Sequence, residues 1–389
     1  MRIALFSCVN PLKSGISDYT EELLPYLSQH FSIDLYIDPD LTPSSKEILN
    51  FCKVKTFDQN SFRPEDYSEI VYNFGNSFYP NEYIYQALLR FPGILILHDY
   101  VLIGFYAEKY YSDKNSSSLL ALLKQHYPGE GEKIAWEIIN RAPVQVWDTP
   151  LGIDFPLNEE IISRAKRIIV HSHFIKNKIA EKFDLRIKII PHHGHKEKNF
   201  DDKKTREELG LKDDEILICS AGFVNKNKRF HTSIPAVRNL KNKKVKYLII
   251  GKDESGILPR LIDKQDKNFI TRAYLKLEDM ERYISASDIC INLRYPSMGE
   301  NSGSLLRMMG YSKPVIVSNC ASYREFPDYS VIKIGTDIYE REMLTAHLKE
   351  LIENPGLRKA IGFEAYKYVK NECDIAKCAG EYASFISQP

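Results

Sequence analysis

The stretch ICINLRYPSMGENSGSLLRMMGYSKPVIVS, residues 289–318, changes its hydrophobic pattern twice. Residues 289–293 form a short apolar run that predicts a buried strand, and Pro296 ends the regular pairing of that strand. Small polar residues follow, and residues 305–311 then carry apolar side chains at helical spacing. Residues 314–318 are a second apolar run. A strand, a helix and a strand in this order predict a parallel βαβ unit.

The same alternation of short apolar runs and helical segments extends along the whole chain. Strands are predicted at residues 2–8, 32–37, 69–72, 93–97, 167–171, 186–190, 216–221, 245–251, 269–273, 289–293 and 314–318. Runs this short and this apolar are typical of parallel sheets that helices cover on both faces. The sequence therefore predicts an α/β fold of two Rossmann-like, doubly wound sheets that face a central cleft.

Length and composition agree with two domains. A chain of 389 residues is too long for one ordinary hydrophobic core. A polar connector separates the two series of strands, so the predicted domains are residues 1–194 and 195–370. A last helix within residues 371–389 is expected to pack back on the first domain. Because the net charge is only +1, composition gives no argument for nucleic-acid binding.

The cysteines and the apolar runs indicate the cellular compartment of the protein. The seven cysteines include no CxxC pair, and several lie inside predicted strands, where cysteine acts as a small apolar residue. The opening residues lack a secretory signal, and no apolar run is long and uncharged enough to span a membrane. We expect a cytoplasmic protein whose only membrane contact is peripheral, at the inner face.

Three turns that follow predicted strands carry candidate functional residues, because ligands bind beyond the carboxyl ends of parallel strands. The first, residues 10–18, contains Gly15, whose lack of a Cβ lets the backbone approach a phosphate or a sugar at a helix start. An ordinary strand–helix turn is the alternative for this glycine. The second turn follows residues 93–97 and begins with His98, which can bond a sugar hydroxyl or stabilise developing charge. A purely structural histidine is equally compatible with that position.

The third turn lies in the opening stretch. Asn301, Ser302, Gly303 and Ser304 supply consecutive backbone amides at a helix start, which suits phosphate oxygens. A carboxylate would repel phosphate, so Glu300 is expected to meet sugar hydroxyl groups instead. The alternative is that Glu300 only complements the helix dipole.

Two other stretches have weaker signals. Residues 221–230, AGFVNKNKRF, follow a predicted strand and offer Lys228 or Arg229 to neutralise a diphosphate. Residues 191–195, PHHGH, together with His171 and His173, suggest a metal site. Adjacent histidines point in different directions and no acidic residue or cysteine lies at a matching spacing, so no metal is expected.

Taken together, these motifs resemble the family 4 glycosyltransferases of the GT-B fold, along essentially the whole chain. The resemblance implies that Gly15 lies near the diphosphate and the acceptor, and that His98 lies beside the donor sugar. Gly222 and Lys228 match the glycine and the lysine of the segment "GRxxxxKG", whose lysine contacts the diphosphate. Residues 296–300 match "PSxxE", which places Glu300 near the donor sugar, and Gly303 matches the glycine three residues later.

The sequence departs from that family at two positions. Phe223 stands where the arginine of "GR" is expected, and Arg229 or Arg294 is a hypothetical replacement for its charge. The second glutamate of E-x7-E, which binds the ribose, is replaced by Arg307 if one residue has been lost, or by Met308 otherwise. The acid of "GGxxE" has a weaker match in Glu325.

The resemblance implies a retaining transfer of a sugar from a nucleotide-diphosphate sugar to a hydroxyl acceptor, without a bound metal or a permanent cofactor. A UDP- or GDP-linked sugar is the expected donor, and a glycan or lipid-linked molecule of a surface polysaccharide or glycolipid is the expected acceptor. Three alternatives remain open at this point: a two-lobed sugar-binding protein without catalysis, an inactive scaffold, and a sugar-nucleotide epimerase of the same fold.

Overall fold

The structure is a computed structural model that describes residues 1–112, 114–194, 198–263 and 265–388. The chain forms two compact units. The first comprises Met1–His192, Met298–Asn301 and Ile375–Pro389, and the second comprises His193–Ser297 and Ser302–Asp374. Each unit contains one fully parallel sheet, as the pattern of short apolar runs predicts.

The first unit is built on a seven-stranded sheet with the order β3-β2-β1-β4-β5-β6-β7. Its strands are β1 (Arg2–Phe6), β2 (Ser32–Ile37), β3 (Lys53–Thr56), β4 (Glu69–Phe74), β5 (Ile94–Leu97), β6 (Arg167–Val170) and β7 (Arg186–Ile189). Its helices before His192 are α1 (Gly15–Leu27), α2 (Phe78–Arg90), α3 (Ile103–Ser112), α4 (Ser116–His126), α5 (Gly131–Ile139), α6 (Glu159–Arg164) and α7 (His173–Ala180).

The second unit is built on a six-stranded sheet with the order β10-β9-β8-β11-β12-β13. Its strands are β8 (Ile216–Ala221), β9 (Val245–Ile250), β10 (Phe269–Arg272), β11 (Ile289–Asn292), β12 (Val315–Ser318) and β13 (Ile332–Ile334). Its helices are α8 (Asp202–Glu208), α9 (Phe230–Asn239), α10 (Leu258–Leu261), α11 (Leu277–Ser285), α12 (Gly303–Gly310), α13 (Glu340–Glu353) and α14 (Pro355–Glu372).

Both faces of each sheet are buried, which explains the continuous apolar runs. In β1, Ile3 and Leu5 pack in one core cluster while Ala4 and Phe6 pack in another, because successive side chains of a strand point to opposite faces. The last helix, α15 (Ile375–Ile386), adds to the cluster that holds Ile3, beside α1. All seven cysteines are buried.

One short segment departs from the predicted domain limits. Met298–Asn301 belongs to the first unit, although residues 195–370 are predicted as one continuous second domain. The reason is local packing, because the amide of Val101 donates to the carbonyl of Met298 over 3.1 Å. A Cβ built on Gly299 would lie only 2.6 Å from the Cβ of Tyr100, so the backbone there runs directly against the turn that follows β5.

Candidate functional site

The strand orders place the predicted turns at the ligand-binding edges of the sheets. In each sheet the order reverses once, between β1 and β4 in the first unit and between β8 and β11 in the second. Ligands of such sheets bind beyond the carboxyl ends of the strands at this reversal. Gly15 follows β1, Gly222 follows β8 and Ser302 follows β11, so three of the predicted turns flank a reversal point. His98 follows β5, one strand away from it.

In the second unit, the structure brings Gly222, Lys228 and Ser304 together. A Cβ built on Gly222 would lie 3.2 Å from Nζ of Lys228 and 3.8 Å from Oγ of Ser304. Gly222 has a φ of +113°, which side-chain-bearing residues rarely adopt. The loops after β8 and β11 are also joined directly, since the amide of Tyr295 donates to the carbonyl of Asn227 over 2.8 Å. An ammonium group, a hydroxyl and an unobstructed backbone therefore share one small space.

The start of α12 adds hydroxyl and amide groups to this space. Ser302 caps the helix by accepting a bond from the amide of Leu305 over 3.3 Å. Its hydroxyl lies 3.1 Å from that of Ser304, and the buried Asn292 at the end of β11 donates to Ser304 over 3.0 Å. The amides of Gly303 and Ser304 belong to the first turn, which the helix itself leaves without carbonyl partners. Such a helix start suits an anion.

Arg229 has a different environment from Lys228. Its Nε lies 3.0 Å from Oε2 of Glu340, and its Nη2 bonds the same oxygen. Glu340 is only 2% exposed and also accepts from the hydroxyl of Thr232 over 2.9 Å. The guanidinium therefore neutralises a buried carboxylate of its own unit. Its predicted contact with the donor stays a prediction, and Lys228 is the cation next to Gly222.

In the first unit, the turns after β1, β4 and β5 converge. A Cβ built on Gly75, after β4, would lie 2.7 Å from the side chain of Ile16 and 3.1 Å from the carboxylate of Asp99. Asp99 accepts a bond from the amide of Asn76 over 2.9 Å. Gly15 is exposed as the first residue of α1, and a Cβ built on it would meet nothing within 4 Å. The protein itself therefore does not require a glycine at position 15.

This freedom makes Gly15→Ala a clean test of ligand approach. We expect the variant to keep or slightly raise the melting temperature, since alanine favours a helix over glycine by about 1 kcal/mol. We expect kcat/KM for sugar transfer to fall at least about tenfold, because the added methyl group displaces a ligand that lies against the backbone. The matched control is Gly356→Ala in the first turn of α14, where a Cβ also meets nothing. If both variants have wild-type kcat/KM, Gly15 does not contact the ligand.

His98 lies in a network of hydrogen bonds. It is 8% exposed, and its Nε2 lies 3.1 Å from Oδ1 of Asn73. Its Nδ1 lies 3.2 Å from Nε2 of His171, and Nδ1 of His171 lies 2.9 Å from the carbonyl oxygen of Ile190. The ring of Tyr19 packs edge-on with a centroid distance of 4.8 Å to the His98 ring. The ring of His98 is thus held on three sides.

Glu300 lies in the segment that packs against the turn of His98. The carboxylate accepts a bond from the amide of Met298 over 2.7 Å, and the side chain is half-buried. Both predicted catalytic residues, His98 and Glu300, therefore belong to the first unit, on segments that the Val101–Met298 bond joins. The neighbouring Asn301 has a shielded side-chain nitrogen without a hydrogen-bond partner among the described residues. Such a donor is available to a ligand.

The two departures from the family pattern have defined surroundings. Phe223 packs against Tyr274 with a centroid distance of 6.0 Å. Arg307, which with Met308 is one of the two candidates for the position of the expected second glutamate, is 7% exposed and forms a 2.6 Å ion pair with Glu281. Glu281 lies in α11 and is itself 1% exposed. A carboxylate therefore lies next to Arg307, but it comes from a different helix.

The described part of the chain contains neither a metal-binding cluster nor a helix that could cross a membrane. Within the described ranges, no group of three or more His, Cys, Asp or Glu side chains is placed to hold a metal ion, while His195 lies outside those ranges. No helix of the described chain combines the length and the apolar character that crossing a bilayer demands.

Burial raises the pKa of the Cys8 thiol, in the turn after β1, to about 11, so this thiol is a poor nucleophile at neutral pH.

Part of the second unit is similar to a known protein family. Residues 201–368 match the family described as glycosyl transferases, group 1. This region contains Gly222, Lys228 and the start of α12. No curated protein matches the sequence of the chain.

Comparison with solved structures supports the fold over the whole chain. HepE of Anabaena, crystallised with UDP, has 15% identity and a TM-score of 0.65 over 100% of both chains. WaaG, a glycosyltransferase of lipopolysaccharide biosynthesis, has 14% identity and a TM-score of 0.65, also over 100% of both chains. Sucrose-phosphate synthase of Thermosynechococcus elongatus has 14% identity and a TM-score of 0.68, over 99% of this chain and 98% of that one. The predicted GT-B fold, with two Rossmann-like parallel-sheet units, is thereby confirmed.

Proposed function

We propose that the protein is a retaining glycosyltransferase that moves a hexose-type sugar from a nucleotide-diphosphate sugar to a hydroxyl acceptor. One observation carries this proposal: Lys228, Gly222 and Ser304 converge at the strand reversal of the unit that matches the group 1 family. A cation, a backbone without a Cβ and a helix start are the groups that a diphosphate needs.

The second unit holds the leaving group in this proposal. Lys228 and the amides of Gly303 and Ser304 bind the phosphate oxygens, and the hydroxyls of Ser302 and Ser304 add neutral donors. Negative charge builds up on the diphosphate as the bond to the sugar breaks. Fixed donors aimed at that charge stabilise the transition state more than the ground state, which lowers the barrier.

The first unit positions the sugar and the acceptor. The carboxylate of Glu300 accepts bonds from sugar hydroxyl groups, and Asn301 donates its unpartnered side-chain N–H. His98 lies beside the donor sugar, and the acceptor hydroxyl approaches past Gly15. With retention, the acceptor enters on the face from which the diphosphate departs.

The donor and the acceptor are assigned by class. A UDP-linked sugar is the first donor to test, because the related fold of HepE was crystallised with UDP-glucose, and a GDP-linked sugar is the second. For the acceptor we propose a glycan or lipid-linked intermediate of a surface polysaccharide, which the protein reaches from the cytoplasmic side as a peripheral protein.

The experiment is a thermal-shift screen with UDP-, GDP-, ADP- and CDP-linked sugars, followed by turnover of the best donor with its sugar labelled. A true donor raises the melting temperature, because stabilisation grows with the logarithm of its concentration divided by its Kd. We expect one base to dominate and the label to move to water or to an acceptor. Binding without any release of the label would indicate a sugar-binding protein or an inactive scaffold. A changed sugar still attached to its nucleotide would indicate an epimerase.

A further inference from the structure

Two histidines lie side by side at the ends of neighbouring strands of the first unit. Strands β5 and β6 pair with Ile94 opposite Arg167 and Ile96 opposite Ile169, and the chain continues into His98 and His171 just beyond. The rings are in hydrogen-bond contact, with 3.2 Å between Nδ1 of His98 and Nε2 of His171. The two residues are 8% and 7% exposed, so solvent has little access to the pair.

The backbone fixes the proton positions in the second ring. Nδ1 of His171 lies 2.9 Å from the carbonyl oxygen of Ile190, and a carbonyl can only accept. Nδ1 of His171 therefore carries a hydrogen, and in a neutral ring Nε2 is then an acceptor. Nδ1 of His98, which faces that acceptor, has to donate. The lone pair of His98 is left on Nε2.

We propose that His171 is a positioning residue that holds His98 in the tautomer protonated at Nδ1, so that Nε2 is the atom that accepts a bond from a sugar hydroxyl. His171 acts only through His98 and does not touch the substrate. The inference rests on the proposed function for its catalytic meaning, but the tautomer is a property of the protein alone.

Asn73 completes the arrangement. Its side-chain oxygen lies 3.1 Å from Nε2 of His98, and its nitrogen lies 3.2 Å and 3.4 Å from the hydroxyls of Ser7 and Thr20. A half-turn of the amide presents the NH2 group to Nε2. The hydroxyls of Ser7 and Thr20 share one hydrogen in their own 2.6 Å bond, so one remaining hydroxyl hydrogen donates to the amide oxygen. In this orientation, an N–H of Asn73 donates to Nε2 of His98. When the donor binds, a sugar hydroxyl takes the place of that N–H.

The surroundings of the pair favour neutral rings. Among the described residues, Tyr19 of α1 and His192 pack against the rings of the pair, and the hydroxyl of Tyr19 is hydrogen-bonded to that of Tyr382 on α15. Burial raises the pKa of Tyr19 well above its usual value, so this phenol stays uncharged. The carboxylate of Asp99 is bonded to the amide of Asn76. Both rings are buried as well, and burial disfavours the charged form of an imidazole.

The tautomer can be read directly by NMR of the full chain labelled with ¹⁵N-histidine, at mildly alkaline pH and without ligand. The His98 signals are assigned by their loss in His98→Gln. We expect His98 to be protonated at Nδ1 in the wild type and in His171→Gln, whose side-chain oxygen also accepts. We expect His171→Phe to shift His98 towards the Nε2-protonated form that imidazole favours in water. A proton on Nε2 of His98 in the wild type would overturn the proposal. It would mean either that His98 is the neutral Nε2-protonated tautomer or that the two rings together carry an additional proton and one positive charge.

Kinetics give the second readout. We expect His171→Phe to lower kcat about a hundredfold with little change in the donor KM, because the reacting groups are misplaced while the diphosphate site in the second unit is intact. His171→Gln should recover most of the activity. Wild-type kcat in His171→Phe would refute the positioning role. If the wild type transfers no sugar at all, the proposed function fails while the NMR result still decides the tautomer.

Discussion

Glu300→Gln is expected to lower kcat for sugar transfer at least about a hundredfold while the melting temperature stays close to that of the wild type. The carboxylate has two roles here that this variant separates. It holds its own turn by accepting the Met298 amide, and a glutamine oxygen can accept the same bond. It is also proposed to bind sugar hydroxyls, and a neutral amide does so more weakly because charge-assisted bonds are about twice as strong.

Glu300→Ala removes both roles and measures how much the hydrogen bond from the Met298 amide contributes to the stability of the fold. Loss of a buried amide's partner costs about 1–3 kcal/mol, so this variant should also melt at a lower temperature. Glu82→Gln, on the exposed face of α2, is the control for the loss of one carboxylate in the same unit. Transfer at the wild-type rate by a folded Glu300→Gln protein would remove Glu300 from the catalytic residues.

Lys228→Met is expected to weaken binding of UDP and UDP-sugars about tenfold to a hundredfold, measured by calorimetry. A hydrogen bond to a charged group contributes about 1.5–3 kcal/mol, and methionine keeps most of the length of the side chain without the charge. The effect should be large because Arg229, the neighbouring cation, is held by Glu340. Melting temperature should change little, since Lys228 is only half-buried.

Lys226→Met is the matched control for Lys228→Met. It lies two residues earlier in the same turn, Lys226–Lys228, and its side chain is exposed. It removes the same charge from the same loop, so a general loss of positive potential would weaken binding equally in both variants. Equal affinities for UDP in the two variants would show that Lys228 makes no specific contact with the diphosphate.

The sequence predicts the two-sheet fold because a parallel sheet buried on both faces leaves a strong pattern. Two strands were missed, β3 and β13. Both lie at the edge of a sheet, and both are short and carry lysines, so they lack the continuous apolar run. Helix α12 begins at Gly303, earlier than the predicted start at residue 305. Its N-terminus is set by the Ser302 cap and by backbone hydrogen bonds, which the spacing of apolar side chains does not reveal.

The candidate site was only partly accessible from the sequence. Gly222 and Lys228 lie in one loop and Ser304 lies far from them in the chain, and the pattern predicts their meeting because β8 and β11, which precede the two loops, are neighbouring strands. The sequence suggests His171 only as a possible metal ligand. The sequence does contain a signal for its contact with His98, since His98 follows one predicted strand and His171 ends the next. Only the register of β5 with β6 brings the two rings together, and the sequence does not specify that register.

The placement of Met298–Asn301 in the first unit could not be predicted either. Sequence adjacency to α12 suggests that Glu300 belongs with the amides of residues 301–304. Packing of Gly299 against Tyr100, which depends on a positive φ of +85° and the absence of a Cβ, draws the segment to the turn after β5. The result places Glu300 in the same unit as His98.

The most direct measurement is a crystal structure of the chain with a bound UDP-sugar. We expect phosphate oxygens within about 3 Å of Nζ of Lys228 and of the amides of Gly303 and Ser304, with sugar hydroxyls on the carboxylate of Glu300. A diphosphate bound elsewhere, with these groups still facing solvent, would contradict it.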